Sequence, residues 1–492
     1  MLARALTFAL VGLEPRRVEA EAHVYDATPA FTLVGLVDRA CQEAKHRVRT
    51  SFRAAHLRWP GRCTVNLAPA ELKKEGSGFD LPIALALLAA SGQVPHERLA
   101  EHASCGELAL DGRLRRVGGV LGVAEGARRA GLQKIICAPD ACAEAALAGV
   151  EPIGARHLSE AVAYLRGDGE PPAFVARNGR SQHVSLDLAD VRGQERARRA
   201  LELAAAGRHN MLLGGPPGIG KTMLARRLPG ILPPLDRAAA LEVTRIHSVA
   251  GLVDPDHPLI SVPPFRAPHH SASAVALVGG GSPRVRPGEV TLAHRGVLFL
   301  DETPEFPVHV LEALRQPLEE RVIRISRASG TIELPADFLL VACANPCPCG
   351  RIERDCRCSD AHRTRYARRL SAPLLDRFDL RLRIESPGRE PGASSAEVRA
   401  SVEGARARQR ARFAETPWQR NAHIPAGALA ATIPLPGDAH EAWVDACRVR
   451  RLTGRGAARV RRVARTLADL DDREHVSADD IARASWLRED VW

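Results

Sequence analysis

The 492-residue chain reads as an α/β protein of more than one domain, and three observations predict this. A strand, a glycine-rich loop and a helix follow one another near its centre. Short apolar strands alternate with alanine-rich helices through its first third. Its C-terminal part carries helical pattern alone. A length far above ~150 residues calls for two to four domains.

The central unit starts with the apolar run Asn210 to Gly214. The loop Gly215-Pro216-Pro217-Gly218-Ile219-Gly220-Lys221-Thr222 comes next, and Met223 to Leu228 suits a helix. This is the context a phosphate-binding loop needs. Its glycines let backbone N–H groups turn onto a phosphate at a helix N-terminus. Lys221 is placed to reach the β/γ-phosphates and the Thr222 hydroxyl to ligate Mg²⁺. The expectation is a nucleoside triphosphate site.

Further along, Gly296 to Leu300 is an apolar strand ending in Asp301 and Glu302. After a phosphate loop, such a pair reads as a Mg²⁺ ligand (Asp301) and a base for the attacking water (Glu302). A second apolar strand, Phe338 to Ala344, ends in Asn345, either an amide that positions that water or a turn-forming Asn-Pro. Arg377, in Leu374-Leu-Asp-Arg377-Phe-Asp379, is a surface arginine in a lone domain. In a ring ATPase it would face the neighbouring subunit's γ-phosphate. Arg455 and Arg459 share a helical face in the C-terminal part. One of them, with Arg459 the candidate, would contact phosphate from a lid; a solvated face is the alternative.

Residues 1–165 alternate strand-like runs (Val18–Val24, Phe31–Val34, Cys63–Leu67) with helical ones (Val37–Ser51, Leu81–Ala90). A second set follows at Ser104–Leu110, Gly122–Arg129, Lys134–Cys137 and Ala141–Ala148. Residues 166–185, rich in Gly, Pro and charge, read as a linker. Residues 186–385 hold the nucleotide core. Beyond a second break at Ser386–Gly392, residues 386–492 read as helices at Ala396–Phe413, Ala439–Leu452, Ala457–Ala468 and Ala478–Trp486.

Lys and Arg number 69 against 58 Asp and Glu, a net charge of +11. That excess suits a polyanion such as nucleic acid. The longest apolar stretch, Leu81–Ala90, is too short to span a bilayer. Leu6–Leu13 reads as a strand rather than a leader. An ATP-using core is expected in the cytoplasm. Among scattered cysteines, Cys347, Cys349, Cys356 and Cys358 form two close pairs, which argues for tetrahedral structural Zn²⁺ over free buried thiols. Arg351, Arg354 and Arg357 would offset thiolate charge.

From Leu186 onward the chain resembles AAA+ ATPases of the magnesium-chelatase-like branch, and within it the ComM/YifB family. The segments that carry this are Gly193-Gln194, Ala204–Asn210, Pro264–His270, Leu292–Gly296, Leu314–Glu319 and Val463–Asp469, joined in the first half by Thr64–Ala70 and Lys74–Pro82. The resemblance implies a parallel-sheet P-loop core with a C-terminal helical lid, and adds Gln194 to the ATP contacts. It implies a homo-hexameric, ATP-driven ring on single-stranded or branched DNA. Such a helicase migrates branches so that DNA integrates in natural transformation and recombination. Arg321–Leu334 reads as a hairpin toward the ring's pore, with Arg321, Arg324 and Arg327 as candidate DNA contacts or as ordinary surface charge. Alternation puts Arg321 and Arg327 on one pattern and Arg324 off it. Phe265–Gly288 is the other candidate.

Residues 1–165 resemble the proteolytic domain of Lon, the fold of the second domain of ribosomal protein S5. The catalytic serine position falls on Gly78, beside Ser77, and the lysine position on Leu121. A scaffold is therefore expected rather than a protease. The rival to a DNA motor is a chelatase-like ATPase that remodels a protein partner.

Overall fold

The computed structural model describes residues 1–169, 186–281, 285–351 except 328–329, and 356–492 except 385–387 and 389; the side chain at 327 is also outside the description. Most of the expected linker, Arg354 and part of the break at Ser386–Gly392 thus lie outside the described residues.

The N-terminal region folds around a seven-stranded sheet. Strand Leu2–Val11 pairs antiparallel with Glu14–Tyr25, so the stretch that could be mistaken for a leader is an interior strand. Glu14–Tyr25 pairs with Arg62–Ala68, which holds Ala30–Val34 at the edge. On the other side, His102–Ser104, Lys134–Cys137 and Glu151–Gly154 extend the sheet in parallel. Helix Asp80–Ala90 is apolar all round beyond Asp80, and every one of its residues is buried. The segment Ser104–Leu110 overlaps two short strands, His102–Ser104 and Glu107–Leu108, with Gly106 between them.

The nucleotide core is a five-stranded parallel sheet. Its strands in spatial order are Phe265–Arg266, Val297–Leu300, Leu339–Ala344, Met211–Gly214 and Leu380–Arg383. Both faces are covered, so the central strands read as continuous apolar runs. Met211, Leu213, Phe299, Val341 and Cys343 pack on one side against the C-terminal helices, including Val460, Val463 and Leu467. Leu212, Leu298, Leu300, Leu340 and Ala342 pack on the other, against Phe306, Leu311, Leu314 and Phe378. The C-terminal helices run over Ser395–Arg412, Gly437–Val449, Gly454–Leu470 and Ala478–Trp486, each within a few residues of its expected span.

The N-terminal sheet is fastened to the core. Leu13, at the turn between the first two strands, joins the core cluster that contains Ile323 and Leu334. The Glu144 carboxylate, 1% exposed, pairs with Arg116 and accepts from Ser248 of core helix Arg237–Val249. Arg116 also donates to the Val253 carbonyl at 2.9 Å, and Arg245 pairs with Glu125 at 2.8 Å. Among the described residues no helix is long and apolar enough to cross a membrane.

Candidate nucleotide site

The phosphate loop leaves the C-terminal end of strand Met211–Gly214 and enters helix Lys221–Ala225. Gly218 and Gly220 have φ of 77° and 101°, backbone that favours glycine, and a Cβ on Gly218 would meet nothing within 4 Å. Lys221, 8% exposed, donates from Nζ to the carbonyls of Gly215 (2.6 Å) and Pro216 (2.9 Å) and to Asn345 Oδ1 (3.0 Å). Burial pulls its pKa below the usual lysine value, with Asp301 and Glu302 among the groups that oppose this. Thr222 Oγ1 donates to Asp301 Oδ2 at 2.7 Å. The four side chains expected to act together thus converge from three adjacent strands. Gln194 donates to the Ile219 carbonyl at 2.9 Å and leaves its Oε1 buried without a partner, an acceptor suited to a bound nucleotide.

Glu302 follows Asp301 in left-handed backbone (φ 47°), a conformation that costs a non-glycine residue about 1–2 kcal/mol and recurs at functional sites. Its carboxylate is half exposed, and His270 Nδ1 lies 3.6 Å from it. Nothing local in Pro264–His270 signals that its edge strand delivers the ring to the acid.

Arg377 and Arg459 lie elsewhere. Asp379 accepts from Arg459 Nη1 at 2.6 Å and from the Asn210 backbone N–H at 3.1 Å. Asn210 starts the strand whose far end carries the phosphate loop, ~10 Å or more away by strand rise. Within one chain Arg459 is held by Asp379 at the end of the sheet away from the loop. The helix that bears it crosses the opposite end of the sheet. Arg377, 5% exposed, pairs with Glu319 and shares a cavity of about 320 Å³ with Arg459 and Arg321. Its Nε and that of Arg459 are buried without partners. Arg455 is exposed.

The cysteines come together. Cys347, Cys349, Cys356 and Cys358 place their sulfurs within 4.8 Å of one another. Sulfur pairs of 3.1, 3.4 and 3.6 Å approach the roughly 3.8 Å edge of a tetrahedron with Zn–S near 2.3 Å, so the set fits a zinc ion. The Arg351 backbone N–H and the Cys347 thiol draw Cys349 down to about 6. Gly350 takes φ 66°, and a Cβ there would lie 2.7 Å from Pro217 Cγ. The cysteine loop thus rests directly on the phosphate loop.

The hairpin forms, with Val322–Arg327 antiparallel to Gly330–Pro335. Arg321 and Arg324 do not make one surface. Arg321 ends helix Arg315–Glu320 in left-handed backbone and lines the Arg377 cavity, outside the strand on which its alternation with Arg327 was expected. Arg324 is held between Glu320 and Glu333. The Arg327 side chain lies outside the described residues. In the N-terminal region Leu121 is fully buried, and Ser77 donates its hydroxyl to Glu107.

Three family models cover nearly the whole chain. Residues 187–390 match magnesium chelatase subunit ChlI, 20–141 match subunit ChlI of Mg-chelatase, and 392–488 match the ChlI C-terminal region. YifB of Escherichia coli is 41% identical over 97% of this chain and 95% of its own. Competence protein ComM of Haemophilus influenzae is 40% identical over 99% and 97%. The chain belongs to the ComM/YifB family of magnesium-chelatase-like proteins. An uncharacterised protein of Mycobacterium tuberculosis is also similar, 44% identical over 99% of both chains. Family membership accounts for the α/β core with a C-terminal helical domain.

Proposed function

We propose that this protein is a cytoplasmic ATPase that works as a homo-hexameric DNA motor, migrating branches so that DNA integrates in transformation and recombination. One observation carries the ATPase part: Lys221 and Thr222 are hydrogen-bonded at one glycine loop to Asn345 and Asp301, 124 and 79 residues away in sequence. The DNA part rests on the name of the ComM relative and on the net charge of +11.

In this reading residues 186–385 are the motor, 386–492 its lid and 1–165 a scaffold, with 166–185 as a tether. Lys221 releases the loop carbonyls and binds phosphate oxygens, assisted by the N–H groups of Gly215 to Thr222. Thr222 and Asp301 would hold Mg²⁺, which when bound neutralises charge between the β- and γ-phosphates. Glu302 takes the proton of the attacking water, and Asn345 orients that water. Arg377 serves the neighbouring subunit. Its position at the opposite end of the sheet from its own phosphate loop supports action in trans, and Arg459 beside it is assigned to the same face. Zn²⁺ held by the four thiolates stiffens the loop behind Pro217.

The test is migration of a synthetic Holliday junction by the purified protein with ATP and Mg²⁺. ATP-dependent conversion to duplex products is expected; junctions left intact under conditions where ATP is hydrolysed would overturn the DNA reading. The chelatase names of the matched families favour one alternative, an ATPase that remodels a protein partner. Turnover indifferent to DNA would support it.

A further inference from the structure

Guanidinium groups are seldom taken out of water without an anion, because desolvation costs several kcal/mol that a counter-charge must offset. Where the C-terminal helices meet the core, the chain departs from this. A cavity of about 150 Å³ opens there, lined by Arg208, Arg295, Arg406, Arg410, Arg420 and Asp337. Asp337 is already claimed by Arg208 Nε at 3.0 Å and Arg295 Nη1 at 3.2 Å, and His423 approaches it at 3.7 Å. The other acid in the lining, Asp236, caps helix Arg237–Val249 by accepting from the Ala239 N–H at 2.9 Å and forms no ion pair with these arginines among the described residues.

Arg406, which is buried, Arg420, which is half-buried, and Arg410, exposed at the rim, remain without an ion-paired carboxylate among the described residues. Arg406 is 8% exposed and donates Nε and Nη2 to the Ala205 carbonyl, which leaves Nη1 over. Arg420 donates to the Gln419 carbonyl at 2.7 Å. The uncompensated charge is felt locally. Burial, then Arg208 and Arg410, pulls Arg420 down to about 10. Burial pushes His423 down to about 3, with Arg321, Arg208 and Arg420 adding to the effect and only Asp337 opposing it.

We infer that this cavity is a binding site for a phosphoryl group, whose oxygens are gripped by Arg406, Arg410 and Arg420 and whose charge completes the cluster. The planar guanidinium fork matches phosphate oxygens in pairs. The volume equals that of about five waters, room for one tetrahedral anion. The site is separate from the phosphate loop. Arg208 precedes the strand whose opposite end carries Gly215 to Thr222. Two sources share this chemistry, a DNA backbone phosphate and a free phosphate-bearing molecule.

The test uses full-length Lys221→Ala protein, in which the nucleotide loop is disabled, and titrates inorganic phosphate against chloride at equal ionic strength while following thermal unfolding. Phosphate should raise the melting temperature. Adding Arg410→Ala and Arg420→Ala, two positions not fully buried, should weaken that response at least tenfold, and Lys at both positions should restore part of it. An equal phosphate response with and without the two arginines, or none in either protein, would overturn the inference. The source is then read from DNA binding by Arg410→Ala/Arg420→Ala protein with Lys221 intact. A salt slope lower by about one to two assigns the site to the DNA backbone, and an unchanged slope assigns it to a free phosphoryl group.

Discussion

Glu302 and Lys221 divide binding from chemistry. Glu302 is half exposed and bonds neither Lys221 nor Thr222, so Glu302→Gln should leave nucleotide affinity near that of the unaltered protein. It should lower ATP turnover by about 10²–10⁴-fold, as removal of a general base does. Comparing nucleotide titration with steady-state hydrolysis checks this; equal losses in both would contradict the assignment. His423 provides a pH prediction. Its folded pKa, near 3, lies below the ordinary histidine value of 6.5, because burial and the facing Arg321, Arg208 and Arg420 outweigh Asp337. The unfolded chain therefore binds the extra proton between those values, and stability present above pH 6.5 is lost as pH falls toward 3. Unfolding of His423→Gln followed from pH 7 to 4 should show a shallower loss, and a slope equal to the parent's would count against it.

At the level of elements, the cysteine loop and the phosphate loop behave as one unit. Gly350 is required both by its left-handed backbone and by Pro217, so Gly350→Ala should cost about 1–2 kcal/mol and weaken ATP binding with it. Metal analysis should find about one zinc per chain, lost in Cys347→Ser/Cys356→Ser. Zinc-free protein with full ATP affinity would refute the link. Much of this was legible beforehand. Strands Val297–Leu300 and Leu339–Ala344 are apolar on both faces, and each ends in the residue that reaches the loop. Strand Leu380–Arg383 was not, because four residues alternating Leu and Arg carry too little pattern. Phe265–Arg266 is shorter still. Arg321 misled the alternation argument because the strand begins one residue later, at Val322. The end of the sheet that Arg459 reaches depends on how helix Gly454–Leu470 crosses the core, which no local pattern encodes.

Across the whole molecule, the N-terminal sheet is tied to the motor through buried charge. Glu144 gathers Arg116, Ser248 and the Leu121 backbone N–H, while Arg116 reaches on to Val253. Glu144→Ala would leave Arg116 uncompensated at this junction and should cost about 3–5 kcal/mol. The N-terminal sheet and the core should then melt in separate steps, and a single transition at the parent's temperature would argue against the coupling. Helix Arg237–Val249, which carries Ser248, belongs to the same core as the nucleotide site, so the N-terminal sheet is joined to that core through it.

The most direct measurement of the central claim is ATP hydrolysis with no DNA, with single-stranded DNA and with a Holliday junction, for the parent protein and for Glu302→Gln. The account predicts that DNA raises the parent's turnover and that the substitution removes it under all three conditions. Hydrolysis that depends on Glu302 but ignores both DNAs would contradict the DNA motor while leaving the ATPase in place.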